Sequence, residues 1–276
     1  MFHFYRRIHK AFDNALHLPL TNHSKYVLFS DCHRGIGNAN DNFLKNEFLY
    51  MAAMEHYYQT GFSYLELGDG DELWENPSMK KIKEAHPSCF QLLFRFHSAG
   101  RFYSLYGNHD MEKKYGCSHT PSYSGIILKD IHCKKDIYIT HGHQVDFLNS
   151  TLWPLARFLV RYLWKPLERL GIPDPTSAAK NNTRKKKSEK RLTMWAASTN
   201  RLLITGHTHH PMIGTLSSPY CNTGSCVHPG SITCIEIENR CLTLIKWSMQ
   251  AGNDMALYVK REKLGETVCV DEYCTK

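Results

Sequence analysis

Five short clusters of Asp, Asn and His residues, each following an apolar run, constrain the fold of this 276-residue chain more than any other feature. The clearest cluster is GNHD at 107–110, which follows the apolar run FYSL at 102–105. Alone, such a turn is weak evidence, because Gly, Asn and Asp are ordinary turn residues. The five clusters together contain Asp31 and His33; Asp69, Asp71 and Glu72; Asn108, His109 and Asp110; His141 and His143; and His207 and His209. Their recurrence at five predicted strand ends indicates a dinuclear metal site.

The chain alternates predicted strands and helices in the manner of an α/β fold. The strands that deliver the clusters are predicted at 25–30, 62–67, 101–106, 136–140 and 201–205, with helices at 41–59 and 79–98. Folds of this kind place ligands beyond the carboxyl ends of strands. Further short strands are predicted at 126–128, 212–216, 231–238, 241–248 and 256–260. The succession of strands after 212 predicts a second, more antiparallel sheet.

Changes in the pattern of predicted strands and helices divide the chain into four parts. Residues 1–22 are predicted to form an N-terminal amphipathic helix, because apolar residues recur there at helical spacing with Arg and Lys between them. Such a helix packs on the domain or rests on a membrane surface. The core domain is assigned to 23–146 and 201–262, a helical insertion to 147–200 and a tail to 263–276.

The insertion contains an apolar stretch at 152–164, a turn-rich linker at 171–175 and a basic run, RKKKSEKR, at 184–191. An insertion between two strands that carry site residues is expected to overhang the site as a lid. The basic run carries +5 of the formal net charge of +8. It forms a solvated helix face, or it attracts a phosphate-rich substrate or an anionic membrane. The remainder is nearly neutral, so no general nucleic-acid-binding surface is expected.

The ten cysteines include no CxxC pair and follow no recognisable secretory signal. These observations predict reduced thiols and a cytoplasmic protein, with peripheral membrane contact left open. No apolar run of about 18 residues is present, so no membrane-spanning helix is expected.

The residue types in the clusters suit phosphoester chemistry. Two cations about 3.5–4 Å apart lower the pKa of a bridging water and clamp the phosphoryl oxygens. Alternation in an extended segment places two ligands on one side, which applies to the pairs Asp31/His33 and His207/His209. Asp69 is in position to bridge the ions, and Asn108 offers a neutral oxygen. The His-rich set favours Mn, with Fe, Zn or Ni as alternatives, over a site built only for Mg.

In this order, D-x-H, G-D, G-N-H-D, H and G-H-x-H resemble the motifs of the calcineurin-like metallophosphoesterases, over about residues 25–248. The resemblance implies an α/β fold, a four-layer sandwich of two mixed β-sheets flanked by helices, with the metals at the strand ends. It implies two metal sites bridged by Asp69, one held by Asp31, His33 and His209 and the other by Asn108, His141 and His207. It also implies that His109 stabilises the transition state or protonates the leaving group, and that Asp110 orients His109.

Two features are similar to one subgroup, the UDP-2,3-diacylglucosamine pyrophosphohydrolases, whose lid holds acyl chains. They are the motif G-D-x-x-E-x-W at 68–74 and the apolar insertion. The chain differs from this subgroup at His109, where the subgroup has Arg, and at His143, where it usually has Asp.

The expected function is hydrolysis of a phosphoester or pyrophosphate bond by a hydroxide that bridges two metal ions, on a small phosphorylated, nucleotide-linked or lipid-linked substrate. The alternatives are a phosphomonoesterase, a protein Ser/Thr phosphatase, a nuclease, or a non-catalytic scaffold on the same fold. His143 is expected to support a metal ligand or to touch substrate. Asp71 and Glu72 are expected to support ligands or to serve the turn itself.

Overall fold

The computed structural model describes residues 3–38, 41–116, 120–164 and 182–274. The helices are α1 (His3–Ala11), α2 (Glu47–Gln59), α3 (Met79–Ala85), α4 (Pro87–Ser98), α5 (Phe147–Ser150), α6 (Trp153–Leu159), continued by a π-helical turn Val160–Trp164, and α7 (Asn182–Thr199). The strands are β1 (Leu16–Leu20), β2 (Lys25–Phe29), β3 (Ser63–Leu67), β4 (Phe102–Leu105), β5 (Ser122–Tyr123), β6 (Ile126–Asp130), β7 (Ile137–Ile139), β8 (Leu202–Thr205), β9 (Tyr220–Asn222), β10 (Ser231–Glu238), β11 (Cys241–Ala251), β12 (Leu257–Lys263) and β13 (Val268–Cys269). Short 3-10 turns lie at Leu44–Asn46, Met111–Tyr115, His143–Val145 and Val270–Cys274.

Two mixed sheets face each other and are covered on their outer sides by helices. The smaller sheet has the order β1-β6-β7-β8-β9, and the larger has the order β12-β11-β10-β2-β3-β4-β5, with β13 paired to β11. Strand β2 is apolar at successive positions because both of its faces are buried. Tyr26 and Leu28 pack between the sheets, whereas Val27 and Phe29 pack under α2 and α4. A strand buried on both faces has no polar side to present. The four-layer α/β sandwich expected from the sequence is confirmed.

The antiparallel strands extend the larger sheet and do not form a sheet of their own. Strand β10 pairs antiparallel with β2, which pairs in parallel with β3, and β3 with β4. The expectation of a separate antiparallel sheet after 212 is therefore wrong. The predicted strand at 212–216 is also absent, and its place in the smaller sheet is taken by β9.

The N-terminal segment is shorter as a helix than predicted. Helix α1 ends at Ala11, and Leu16–Leu20 forms a strand that pairs in parallel with β6. The apolar face of α1, Phe4 and Ile8, packs with Trp195 of α7. The boundary of 1–22 for an N-terminal helix therefore needs correction, since residues 16–20 belong to the core sandwich.

The predicted helix at 79–98 is two helices. Helix α3 ends at Ala85, and α4 begins at Pro87, a residue suited to the first turn of a helix because it lacks an N–H donor. The described part of the insertion 147–200 is mostly helical, with a turn at 151–152, but the linker at 171–175 lies outside the described residues.

Disulfide bonds correct the prediction of reduced thiols. Cys133 is joined to Cys274, and Cys241 to Cys269, whereas the other cysteines of the described residues, Cys32, Cys89, Cys221, Cys226 and Cys234, are buried free thiols. Among the described residues, no helix is both long and apolar enough to cross a membrane.

Candidate metal centre

The five clusters meet at one edge of the sandwich. Strands β2, β3 and β4 are parallel in the larger sheet, and β7 and β8 are parallel in the smaller one, so the loops that follow them share an end. Three sets of side chains there could each hold a cation, with one donor atom per residue lying within 4.8 Å of the others. These sets are Asp31, His33 and His209; His33, Asp69 and His109; and Asp69, His141 and His207. All but His109 and His209 in these sets are buried.

The first metal position lies between the loops after β2 and β8. Nε2 of His209 is 3.0 Å from Oδ1 of Asp31, and Nε2 of His33 is 3.8 Å from the same oxygen. Nδ1 of His33 is 2.8 Å from Oε2 of Glu72. A carboxylate at Nδ1 fixes the ring with its Nε2 lone pair toward the site, as is usual for metal-ligating histidines.

The second position is marked by buried polar atoms that have no partner. Within the described residues, Oδ1 of Asn108 and Nε2 of His207 make no hydrogen bond, while Nε2 of His141 lies 3.1 Å from Oδ2 of Asp69. Such atoms are costly to bury, so each one in a native fold calls for an explanation. Nδ1 of His141 lies 2.8 Å from the carbonyl oxygen of Leu67, which directs Nε2 at the site. The imidazoles of His141 and His207 beside Asp69, with the unpartnered amide oxygen of Asn108 in the loop after β4, fit a divalent cation with N and O ligands.

Asp69 lies between the two positions. Its Oδ2 is 3.1 Å from Nε2 of His141 and 4.0 Å from Nε2 of His33, while its Oδ1 accepts the backbone N–H of His109 at 2.8 Å. Burial alone would raise the pKa of Asp69, but the neighbouring His141 and His109 hold it below its usual range. An ionised, buried carboxylate between two histidine groups fits the bridging position.

His207 is suited to metal binding by its environment. Burial first, and then repulsion by His141, lowers the pKa of His207 to about 3. The imidazole is therefore neutral at physiological pH, which is the protonation state that binds metals.

The backbone at the ligands is left-handed. The φ angles are 54° at Asp31, 52° at His33, 52° at Asp69, 69° at His207 and 53° at His209. For residues other than Gly this conformation is uncommon, and the exceptions are concentrated at functional sites. The expectation that Asp31/His33 and His207/His209 converge because the segment is extended is therefore wrong. Convergence comes from left-handed residues at alternate positions.

Close approach to the carboxylates explains two motif glycines. A Cβ at Gly107 would collide with the carboxylate of Asp69, and a Cβ at Gly206 would lie 2.5 Å from Oδ2 of Asp31. The Gly in G-N-H-D and in G-H-x-H is thus needed to let one loop approach the ligand of another.

His109 is held by Glu72 and Trp74. Nδ1 of His109 is 2.8 Å from Oε1 of Glu72, and its ring stacks on Trp74 with centroids 4.4 Å apart. Glu72 therefore contacts two histidines, one through each oxygen, and fixes the ring of His109 relative to that of His33. The side chain of His109 remains partly exposed, as a group that meets substrate must be.

Asp110 has a different place from the one expected. Its carboxylate accepts the backbone N–H groups of Asp69, Gly70 and Gly107 at 3.2, 3.0 and 2.7 Å, and it pairs with Nζ of Lys113 at 2.6 Å. The carboxylate at His109 is that of Glu72, so the role of orienting His109 passes from Asp110 to Glu72. Asp110 ties the loop after β3 to the loop after β4.

Other predicted and missed residues support the site. His143 is buried with its ring 5.4 Å from that of His141, and burial holds its pKa well below the usual value. Asp71 pairs with Arg34 and Lys113 at 2.7 Å each and, among the described residues, contacts no histidine. Sequence reasoning left Asn222 unassigned.

Asn222 braces the loop that carries His207 and His209. Its Nδ2 donates to the carbonyl of Gly206 at 2.6 Å, and its Oδ1 accepts the backbone N–H of Gly224 at 2.9 Å. The one signal in the sequence was the Asn-Thr-Gly-Ser turn that begins at Asn222.

The described part of the insertion packs beside His109. Ala156 and Val160 form a small apolar cluster with Trp74, which also stacks on the ring of His109. Arg161 donates to the backbone carbonyls of Leu73 and Trp74 at 2.7 and 2.6 Å. The insertion therefore reaches the motif that positions His109.

Comparison with known proteins gives only distant likenesses. No family model matches the chain, and no curated protein matches it. Among solved structures, Vps29 from Cryptosporidium parvum is 14% identical with a TM-score of 0.43, covering 88% of this chain and 98% of that chain. Vps29 from Chaetomium thermophilum is 12% identical with a TM-score of 0.41, covering 89% and 98%. A mutant cold-active protein tyrosine phosphatase is 16% identical with a TM-score of 0.43, covering 91% and 82%. Likenesses at this level carry no argument about function.

Proposed function

We propose that this protein is a dinuclear metal-dependent phosphohydrolase of the calcineurin-like metallophosphoesterase kind, acting on a phosphoester or pyrophosphate bond. One observation carries the proposal. Asp69, His141 and His207 form one set that could hold a cation and Asp31, His33 and His209 form another, and the buried atoms Oδ1 of Asn108 and Nε2 of His207 have no hydrogen-bond partner among the described residues. A purely structural cluster would leave no reason to bury two acceptors without partners.

Two sets of ligands fit two divalent cations. Asp31, His33 and His209 would hold one, and Asn108, His141 and His207 the other, with Asp69 shared. The mixture of imidazole, carboxylate and amide ligands favours Mn, with Fe, Zn or Ni as alternatives. When bound, such a pair supplies a nucleophile at neutral pH and neutralises the phosphoryl oxygens.

The chain's own groups complete the chemistry. Nδ1 of His109 contacts the carboxylate of Glu72, and the ring of His109 stacks on Trp74. In this orientation Nε2 of His109 would face the leaving group. Protonated His109 would donate its Nε2 proton to the departing oxygen, and the negative charge of Glu72 favours the protonated ring. Asp110 keeps the loops of Asp69 and His109 in register through backbone N–H groups.

The insertion supports a substrate with an apolar part. Its described helical part places Leu155, Phe158 and Tyr162 on the surface, 51%, 58% and 63% exposed, next to the segment that packs on Trp74. A nucleotide-linked or lipid-linked diphosphate is therefore the preferred substrate class over a bulky phosphoprotein, which an overhanging insertion would obstruct.

The test is hydrolysis of bis-p-nitrophenyl phosphate, p-nitrophenyl phosphate and UDP-linked diphosphates with added Mn, for wild type and Asp69→Ala. We expect activity in the wild type and a loss of at least about a thousandfold in the variant, because the shared ligand is gone. The preferred substrate would rank diester, monoester and pyrophosphate chemistry. A wild type inactive with every divalent metal, or an Asp69→Ala variant as active as wild type, would refute the proposal.

A further inference from the structure

The basic run of the insertion lies at the same end of the sandwich as the metal centre. Helix α7 runs antiparallel to β8. At its far end Asn200 accepts from Nζ of Lys135, just before the start of β7, with O···N distances of 3.0 and 2.9 Å. Towards its beginning, Oε1 of Glu189 is 3.0 Å from Nδ1 of His210, the residue after the ligand His209. The basic half of α7 therefore borders the site.

Four lysines of this run form no ion pair with the described residues. Glu189 is the single acid within 184–191 and already contacts His210, while Arg191 donates to the carbonyl of Val145 at 2.7 Å. No ion pair joins Lys185, Lys186, Lys187 or Lys190 to any carboxylate within the described ranges. Four lysines within six residues that pair with no described carboxylate favour an anionic ligand.

Helical geometry separates these lysines into two pairs. At about 100° per residue, Lys185 and Lys186 lie within about 60° of Glu189 and one turn nearer the start of α7. Lys187 and Lys190 lie about 160° and 100° away from Glu189, towards solvent. Lys185 is half-buried, and the other three are exposed. Lys185 and Lys186 therefore flank Glu189, which contacts His210, and Lys190 lies about 40° further round the helix than Lys186.

We propose that Lys185 and Lys186 form a subsite for a second anionic group of the substrate, beyond the phosphorus at the metal centre. This inference rests on the proposed function and narrows it to substrates with at least two phosphates, such as a nucleoside diphosphate derivative. Charge complementarity and the contact of Glu189 with His210 place the subsite beside the metal ligands rather than on a remote surface.

A matched pair of variants tests the subsite. Lys185→Gln/Lys186→Gln and Lys187→Gln/Lys190→Gln remove the same charge from the same helix, and Gln keeps a similar helix propensity. Inhibition of bis-p-nitrophenyl phosphate hydrolysis by AMP and by α,β-methylene-ADP is measured with Mn in excess. The two inhibitors share a nucleoside and differ in the second phosphorus group, and the methylene bridge resists hydrolysis.

For the Lys185/Lys186 variant we expect the inhibition constant of α,β-methylene-ADP to rise about tenfold, from two lost charge contacts. The constant for AMP, and both constants in the Lys187/Lys190 variant, should stay within about twofold of wild type, because only the general field changes. Equal weakening in both variants, or none in either, would overturn the inference.

Titration calorimetry with α,β-methylene-ADP separates this inference from the proposed function. If the wild type hydrolyses nothing yet binds the nucleotide through Lys185 and Lys186, the subsite stands and the hydrolase proposal falls. If hydrolysis occurs but the wild type does not bind the nucleotide, the subsite falls alone. A third arm uses sedimentation with phosphatidylglycerol vesicles. Equal loss of vesicle binding in both variants, with nucleotide binding unchanged, would assign the basic run to a membrane and overturn the subsite.

Discussion

The two ends of the sandwich contain the same unusual backbone conformation for different reasons. At the metal-centre end, Asp31 and His207 are left-handed, and acceptor atoms nearby are buried without partners. At the opposite end, Asn239 and Arg240 have φ angles of 51° and 60° in the two-residue turn between β10 and β11. Hairpin turns of this length require positive φ at their central residues. Turn geometry therefore accounts for one end and not for the other.

Charge is also handled differently at the two ends. The guanidinium of Arg240 donates to Asp130 at 2.7 and 3.1 Å and to Asp271 at 2.9 and 2.7 Å. Two disulfides join the C-terminal segment to both sheets, through Cys133 after β6 and Cys241 in β11. Every charge in this clasp, defined as Asp130, Cys133, Arg240, Cys241 and 268–274, has a partner. The comparison separates an end whose charges stabilise the fold from an end whose side chains could hold cations.

The largest expected effect on stability lies at the clasp. Arg240→Met should lower the free energy of unfolding by about 3–4 kcal/mol, because Asp130 would be left buried without its counter-charge. Urea unfolding measures this change. Hydrolysis of bis-p-nitrophenyl phosphate under native conditions should be unchanged. A variant that keeps its stability and loses activity would break the division between the two ends.

Removing one disulfide of the clasp should have a slightly smaller effect. Cys241→Ser/Cys269→Ser opens a bridge across 28 residues and should cost about 2–4 kcal/mol, since the unfolded chain gains freedom. Thermal unfolding with and without dithiothreitol checks this. The wild type should become less stable in reductant, and the variant should shift less. No response of the wild type to reductant would contradict the bonds.

At the other end, Glu72→Gln should lower kcat by about 10- to 100-fold while leaving stability nearly unchanged. The charge that orients His109 and His33 is lost, but the shape of the side chain is kept. Asp71→Asn is the matched control, because its carboxylate is adjacent in sequence and contacts Arg34 and Lys113 instead. Equal losses of kcat in the two variants would remove the special role given to Glu72.

The smallest effect should be a pH dependence at His86. Its ring lies between Asp41 at 2.8 Å and Glu47 at 3.0 Å, and although burial opposes it, these carboxylates raise its pKa. Such a group stabilises the fold below its unfolded pKa, and this stabilisation is lost as the pH rises through the folded value. His86→Gln should therefore cost about 1 kcal/mol at about pH 6 and less at about pH 9. A larger cost at the higher pH would contradict this assignment.

The sequence allowed much of this to be predicted. Strands β2, β3, β4, β7 and β8 are mostly apolar, so the sequence showed where these strands end and that Asp, Asn and His clusters follow them. The sequence could not show that Glu72 rather than Asp110 contacts His109, because both carboxylates lie close to His109 in different loops. That choice depends on which backbone N–H groups Asp110 meets, a result of how two loops pack.

Other features could not be predicted from the sequence, for identifiable reasons. Strand β1 contains Pro19 and follows a helical pattern, so its pairing with β6 gave no local signal. The disulfides join cysteines 141 and 28 residues apart, and no spacing motif reports contacts over such separations. The positive φ angles of the candidate ligand residues could not be predicted either, because contacts between loops determine them.

The most direct test concerns the candidate metal centre between the loops after β2 and β8. The purified protein is equilibrated with Mn and passed through gel filtration, and its metal content is then measured by mass spectrometry. We predict about two ions per chain in the wild type and in Arg240→Met, and fewer than about one in Asp69→Asn, where the shared ligand is weakened. A wild type without tightly bound metal, or an Asp69→Asn variant with the full complement, would contradict the account.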